Sequence, residues 1–204
     1  NDWVSAPVVD DNGTLLGRIT IDDVVDVIRE DTDRSLMSMA GLDEDADTFA
    51  PLMHAAPRRA IWLGINLVTA FIAASVINLF QGTIKEFVFL AVLMPIVASM
   101  GGIAGTQTLT LMVRGIALGQ VVKNNQTWLI NRELVIGLMN GILWAVVVAI
   151  AASIWFQQWK IGLIIAAAMV INLVTAALAG AVLPLLMARA KIDPALAGGV
   201  VLTT

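Results

Sequence analysis

From Phe87 to Val113 the chain carries no charged residue. Such a run is long enough to cross a bilayer, which takes about 20 residues. Its middle holds Pro95, Gly101, Gly102, Gly105 and Gln107, with threonines at 106, 108 and 110. Proline frees a backbone carbonyl, and glycine lets water or an ion approach the main chain. Carbonyl and amide oxygens are hard ligands, suited to magnesium or calcium. An inert anchor needs none of these residues. Polar or irregular backbone at membrane depth is tolerated where protein buries it or where it lines a water-filled cavity. The stretch therefore reads as one wall of a polar pathway. A competing reading is close helix packing, because Gly101-x-x-x-Gly105 is a small-residue pair at helical spacing, as are Gly115/Gly119 and Gly137/Gly141.

Three further groups could do chemistry. Asp22, Asp23, Asp26, Glu30, Asp31 and Asp33 crowd one predicted helix. They form either a solvated face or a divalent-ion sensor, since like charges three and four apart repel and a bound cation relieves that repulsion. Glu133 stands at the head of another apolar run, beside Arg132. It is either an interfacial acid, paired with Arg132 or favouring a helix N-terminus, or a cation contact. Asp193-Pro194 reads as a helix start, with Asp as N-cap and Pro in the first turn. No catalytic constellation competes with these. The lone His54 has no cysteine partner, and no P-loop, Gly-x-Ser-x-Gly or His-Glu-x-x-His pattern occurs. An enzyme is not expected.

The elements that position these residues follow from composition. The 204 residues are 58% hydrophobic and 14% charged, with no cysteine. A soluble domain is about 45–50% apolar and about 25% charged. The class is an integral membrane protein. The net charge of −4 is split: residues 1–59 hold 13 acidic and 5 basic residues, whereas 60–204 hold 3 acidic and 7 basic. An acidic module precedes a mildly basic membrane part. The acidity argues against nucleic acid and suits multivalent cations.

Residues 1–40 are expected to form the end of a small α/β module. Ala6–Val9 and Leu15–Ile19 read as strands around an Asp10-Asp-Asn-Gly13 turn, and a helix follows from Ile21 to Met39. Two strands and a helix cannot bury a core of their own, which predicts further sequence upstream. Residues 41–60 form an acidic connector. Membrane spans are expected at about 61–80, 87–113, 134–156 and 161–188, with a fifth beginning at 195 and incomplete at 204. Arg58, Arg59, Arg114, Lys123, Arg132, Arg189 and Lys191 fall on one side and Lys85 and Lys160 on the other, which places the N-terminal module in the cytoplasm. Asn172, inside the fourth run, reads as an interhelical hydrogen-bond partner.

Two resemblances sharpen this reading. Pro7-Val-Val-Asp-Asp-Asn-Gly-Thr-Leu-Leu-Gly-Arg-Ile-Thr-Ile-Asp-Asp-Val resembles the second half of a CBS domain. Met94-Pro-Ile-Val-Ala-Ser-Met-Gly-Gly-Ile-Ala-Gly-Thr-Gln-Thr-Leu-Thr-Leu-Met-Val-Arg-Gly-Ile-Ala-Leu-Gly119 resembles the second transmembrane helix of MgtE-type magnesium transporters. The order of CBS end, acidic connecting helix and apolar runs fits that family along essentially the whole chain. The family has asparagine after the paired glycines, where Ile103 stands here.

The resemblance implies an all-α polytopic membrane domain with a five-helix fold, its fifth helix truncated, preceded by a partial α/β CBS domain. It implies magnesium transport through a homodimeric pore lined by the second and fifth spans in the cell's inner (plasma) membrane. Pro95, Gly101, Gly102, Gly105, Gln107, Glu133, Asp193, Gly199 and Thr203 would border the pathway. Asp23, Asp26 and Asp31 sit where the family has regulatory acids that sense cytosolic magnesium. A CBS module also implies a site for an adenine nucleotide such as ATP. Two alternatives stand beside this: a proton- or sodium-coupled divalent carrier of the same fold, and a non-transporting membrane-anchored CBS nucleotide sensor.

Overall fold

The computed structural model describes residues 4–40, 42 and 49–194, except the side chains at 31, 32, 35, 36 and 39. Two strands come first, β1 (Ser5–Val9) and β2 (Leu15–Thr20), paired antiparallel with Ser5 opposite Thr20 and an irregularity between Val8 and Val9. The Asp10 carboxylate closes the turn by accepting the backbone N–H groups of Asn12 and Thr14, and Gly13 takes the positive φ of 82° that the reversal requires. Helix α1 (Ile21–Met39) follows directly. Asp23 accepts both the backbone N–H and the hydroxyl of Thr20, at 2.7 and 2.8 Å. That is half of a capping box, and it satisfies one donor at the helix start. Val24, Val27 and Ile28 remain exposed, as the apolar stripe of an isolated two-strand, one-helix unit must. So small a sheet does not establish a CBS domain.

The rest is helical: α2 (Leu52–Leu79), the short α3 (Gln81–Glu86), α4 (Phe89–Ala117), α5 (Gln126–Phe156) and α6 (Trp159–Arg189). Helices α2, α4, α5 and α6 are each long and apolar enough to cross a membrane. They match the four expected spans, but α2 and α5 begin eight or more residues earlier, taking in Arg58 and Arg59 and then Trp128, Arg132 and Glu133. A 28-residue helix is about 42 Å long against about 30 Å of hydrocarbon, so charged first turns project beyond the apolar layer.

Helix α6 is the centre of the bundle and packs on both α4 and α5. Its buried residues, among them Ile165, Met169, Leu173, Ala177 and Ala181, form a stripe at spacings of three and four. Glycines permit the approach. A Cβ on Gly137 would stand 2.7 Å from that of Ala177, and one on Gly180 would stand 2.6 Å from the Gly105 carbonyl oxygen. Only the two residues Gln157 and Gln158 join α5 to α6, with Gln157 in the left-handed conformation at φ 54°. None of the residues of α2 is buried.

Helix α4 ends in a Schellman closure: Gly119, at φ 65°, donates to the Ile116 carbonyl and Gln120 to that of Gly115. The Gly115/Gly119 spacing is thus a helix terminus, with Gly115 buried against Val121. Helix α6 closes the same way, but the left-handed residue is Lys191, at φ 58°.

Candidate functional site

Helix α4 has two faces of different character. The rear face, at Leu93, Gly101, Gly105, Thr108, Leu109 and Met112, is buried. The front face, at Ala98, Ser99, Gly102, Ile103, Thr106 and Gln107, lines an open groove of about 520 Å³. These residues fall at positions i, i+1, i+4, i+5, i+8 and i+9, one side of a helix with 3.6 residues per turn. The expected pathway residues divide between the faces. Gly102 and Gln107 belong to the groove, whereas Gly101 and Gly105 face α6.

At the rear, Asn172 of α6 occupies the notch left by Gly101. Its carboxamide Nδ2 donates to the Val97 carbonyl at 2.6 Å. A Cβ on Gly101 would collide with that carboxamide. One turn and more along, Gly180 lies against the Gly105 carbonyl and Thr108. Small residues here allow backbone-to-backbone approach, the usual source of association between membrane helices.

The front face is polar without being self-satisfied. Thr106 and Thr110 turn their hydroxyls back on the helix, donating to the carbonyls of Gly102 and Thr106, each at 2.8 Å. The Ser99 hydroxyl and the Gln107 carboxamide bond to no described residue. Polar groups left unpaired in hydrocarbon cost roughly 2–7 kcal/mol each. A face that keeps two of them at membrane depth is built to meet water or another polar surface. Ile103 stands in the same groove, 55% exposed.

Other expected residues lie elsewhere. Pro95 is on the wall of a second, partly open apolar cavity of about 680 Å³, bordered by the end of α2, α3 and the N-terminal halves of α4 and α6. Glu133 is buried behind α4, where Thr108 Oγ1 donates to its Oε2 at 3.2 Å and Arg132 donates to its Oε1 at 3.3 Å. Since α5 begins at Gln126, Glu133 lies two turns inside the helix, beyond the reach of the N-terminal dipole. Asp193 is exposed just past α6. Gly199 and Thr203 lie outside the described residues, as does the fifth expected span.

In the N-terminal module Asp23 is engaged in capping and Asp26 is exposed, while the Asp31 side chain lies outside the described atoms. Backbone donation from Thr20 is the main reason the Asp23 carboxyl sits below its ordinary value. Asp10 is lowered likewise, chiefly by the Thr14 N–H. No three acidic or histidine side chains among the described residues come together as a metal site.

The expected interhelical hydrogen bond of Asn172 is present, to the Val97 carbonyl, but sequence reasoning missed the Gly180–Gly105 approach, the Thr108–Glu133 bond and, between α6 and α5, the Arg189–Gln126 bond at 2.8 Å. Asn172 carried a signal, as a lone amide in an apolar run. Gly180 carried none that separates it from any other small residue.

Comparison with known proteins places this geometry in context. A family model described as MgtE, divalent cation transporter, matches residues 94–204. The chain is 33% identical over 203 residues to the magnesium transporter MgtE of Enterococcus faecalis and 32% identical over 203 residues to that of Bacillus subtilis. It is 26% identical over 205 residues to the magnesium transporter MgtE of Thermus thermophilus. Each alignment takes in 100% of this chain and 45% of the relative, so the chain spans about half the length of the curated relatives it matches.

Proposed function

Since this chain belongs to the MgtE family of divalent cation transporters, we propose that the α4 groove is one wall of a path that carries magnesium across the membrane. The observation that carries the reading is the pair of polar side chains, Ser99 and Gln107, that bond to no described residue on the groove face, midway along a helix long and apolar enough to span. The relatives' printed names support magnesium as the substrate. Magnesium surrenders its water reluctantly. A groove offering one hydroxyl, one carboxamide and the backbone around Gly102 suits an ion that keeps most of its hydration shell. Gly101 and Gly105 then serve the path indirectly, by seating α4 on α6.

A single groove open on one side is half a conduit. Closure by a second copy of the chain, and by the span that begins after Pro194, completes it in this reading. In this reading Asp193 lies at the cytoplasmic end of the path, on the same side as Arg114, Lys123, Arg132, Arg189 and Lys191. That basic excess supports a cytoplasmic N-terminal module, and in this reading the membrane is the plasma membrane. Regulation by cytosolic magnesium at Asp23, Asp26 and Asp31 requires ligands from beyond the described residues. Nothing observed supports a nucleotide at the hairpin, and none is proposed.

The test is magnesium uptake by liposomes holding the full-length protein, followed with an entrapped indicator. Flux above that of empty vesicles, unchanged when sodium and proton gradients are collapsed, is the expected result. No flux from protein shown to be folded ends the reading, and flux that follows either gradient assigns a coupled carrier instead.

A further inference from the structure

Glu133 is the one buried carboxylate among the described residues, only 4% exposed, and it does not line the groove. Its contacts explain what it does there. Oε2 accepts the hydroxyl of Thr108, itself 6% exposed, across the α4–α5 gap. Oε1 accepts from Arg132, whose side chain is half exposed, so the carboxylate keeps a compensating charge that reaches water. Thr108 directly follows Gln107 in the chain, about 100° further round α4, so one lines the groove while the other is buried against Glu133. The same short stretch is held by Gly180 against the Gly105 carbonyl and the Leu109 nitrogen, and Leu109 is fully buried. Among the described residues, the other side-chain bond that reaches α4 from behind is Asn172 to the Val97 carbonyl, about three turns toward the start of the helix, whereas Thr106 and Thr110 bond only to their own helix.

We infer that Glu133 is a positioning residue for the groove and not a ligand of the ion. With Thr108 it fixes the rotation of α4 about its own axis, and thereby the direction in which Gln107 and Gly102 face. A helix apolar on most sides has no amphipathic stripe to set that rotation. A directional bond between buried partners supplies it, because leaving either partner unsatisfied is costly. The role rests on the groove being the ion path, but the rotation itself is measurable without transport.

The experiment uses the full-length protein in liposomes and two readouts. The first is magnesium flux against magnesium concentration for Glu133→Gln, Glu133→Ala, Thr108→Val and the Ala/Val double variant. A glutamine carbonyl still accepts from Thr108, so Glu133→Gln is expected to keep the wild-type curve. Thr108→Val and Glu133→Ala are each expected to lower maximal flux by about threefold to tenfold, the range of one lost hydrogen bond. Half-saturation should stay within about twofold of wild type, because no ion contact is lost. The double variant should be no worse than the singles.

The second readout is the rate at which a water-soluble thiol reagent labels Gln107→Cys. These 204 residues contain no cysteine of their own, and any elsewhere in the full-length protein is replaced. Labelling should change severalfold when Thr108→Val is added and stay constant with Glu133→Gln. A rise in half-saturation of about tenfold or more in Glu133→Gln, with Thr108→Val at the wild-type value, overturns the inference and makes Glu133 an ion ligand. Wild-type flux and labelling in Thr108→Val also overturn it. If Glu133→Ala aggregates, Thr108→Val and Glu133→Gln decide. Absence of flux in the wild type condemns the transport reading alone, and the labelling rates still judge the lock.

Discussion

A methyl group added to Gly180 meets the Gly105 carbonyl at 2.6 Å, whereas one added to Gly102 meets nothing within 4 Å. The two glycines therefore answer different questions. Gly180→Ala should lower thermal stability by about 1–3 kcal/mol, because the obstacle is backbone and one helix must move away from the other. Gly102→Ala should leave the melting temperature unchanged and reduce magnesium flux, since the methyl enters the groove. Melting of the purified full-length protein and liposome flux on the same samples check both, and equal melting losses would erase the distinction between the faces. Gln107→Leu should likewise cut flux with no loss of stability, because its carboxamide has no partner among the described residues. Glycine pairs at spacing four were visible in the sequence, but not which side of the helix each would serve. Gly101 and Gly102 are neighbours with opposite roles, and only the partner across the gap, Asn172, separates them.

At the scale of elements, the span boundaries were legible because charges punctuate the apolar runs. The starts of α2 and α5 were not, since a helix continues through Arg58, Arg59, Arg132 and Glu133 once its amides are paired, whatever the side chains outside the hydrocarbon. Termini offer two predictions. Lys191 holds a left-handed conformation that glycine holds at Gly119. Lys191→Gly should raise the stability of the α6 end by about 1 kcal/mol, read as slower hydrogen exchange of the last-turn amides. At the other end of the chain, Asp23 and Asp10 have carboxyls lowered from 3.8 by backbone N–H groups. A folded-state value below the unfolded one gives stability that is complete above the unfolded value and lost as pH falls through the folded one. The start of α1 should thus hold at neutral pH and loosen in acid below about pH 4, and Asp23→Asn should weaken it at neutral pH and remove much of the acid sensitivity. Amide chemical shifts of α1 across an acid titration report this directly. An unchanged titration in the variant would show the cap to be idle.

Taken whole, the molecule has a firm part and a loose part. Helices α4, α5 and α6 share buried clusters around Met169, Leu173 and Ala181, while α2 buries no residue and the β1–β2–α1 unit leaves Val9, Val24, Val25 and Val27 exposed. In native-state hydrogen exchange of the full-length protein in detergent, the middle of α6 should exchange last and the β1–β2 amides among the first. Equal protection throughout would mean that α2 and the hairpin are covered in the complete assembly. Membrane class and span order followed from composition alone, because bilayer thickness sets run length. Which span would stand at the centre did not, since all four are apolar around most of their circumference.

One residue joins the groove to the apolar cavity beside it: Ala98 lines both. Under the proposed reading, bulk added at that one position reaches the greasy hollow and the conduit together, so its smallness serves both.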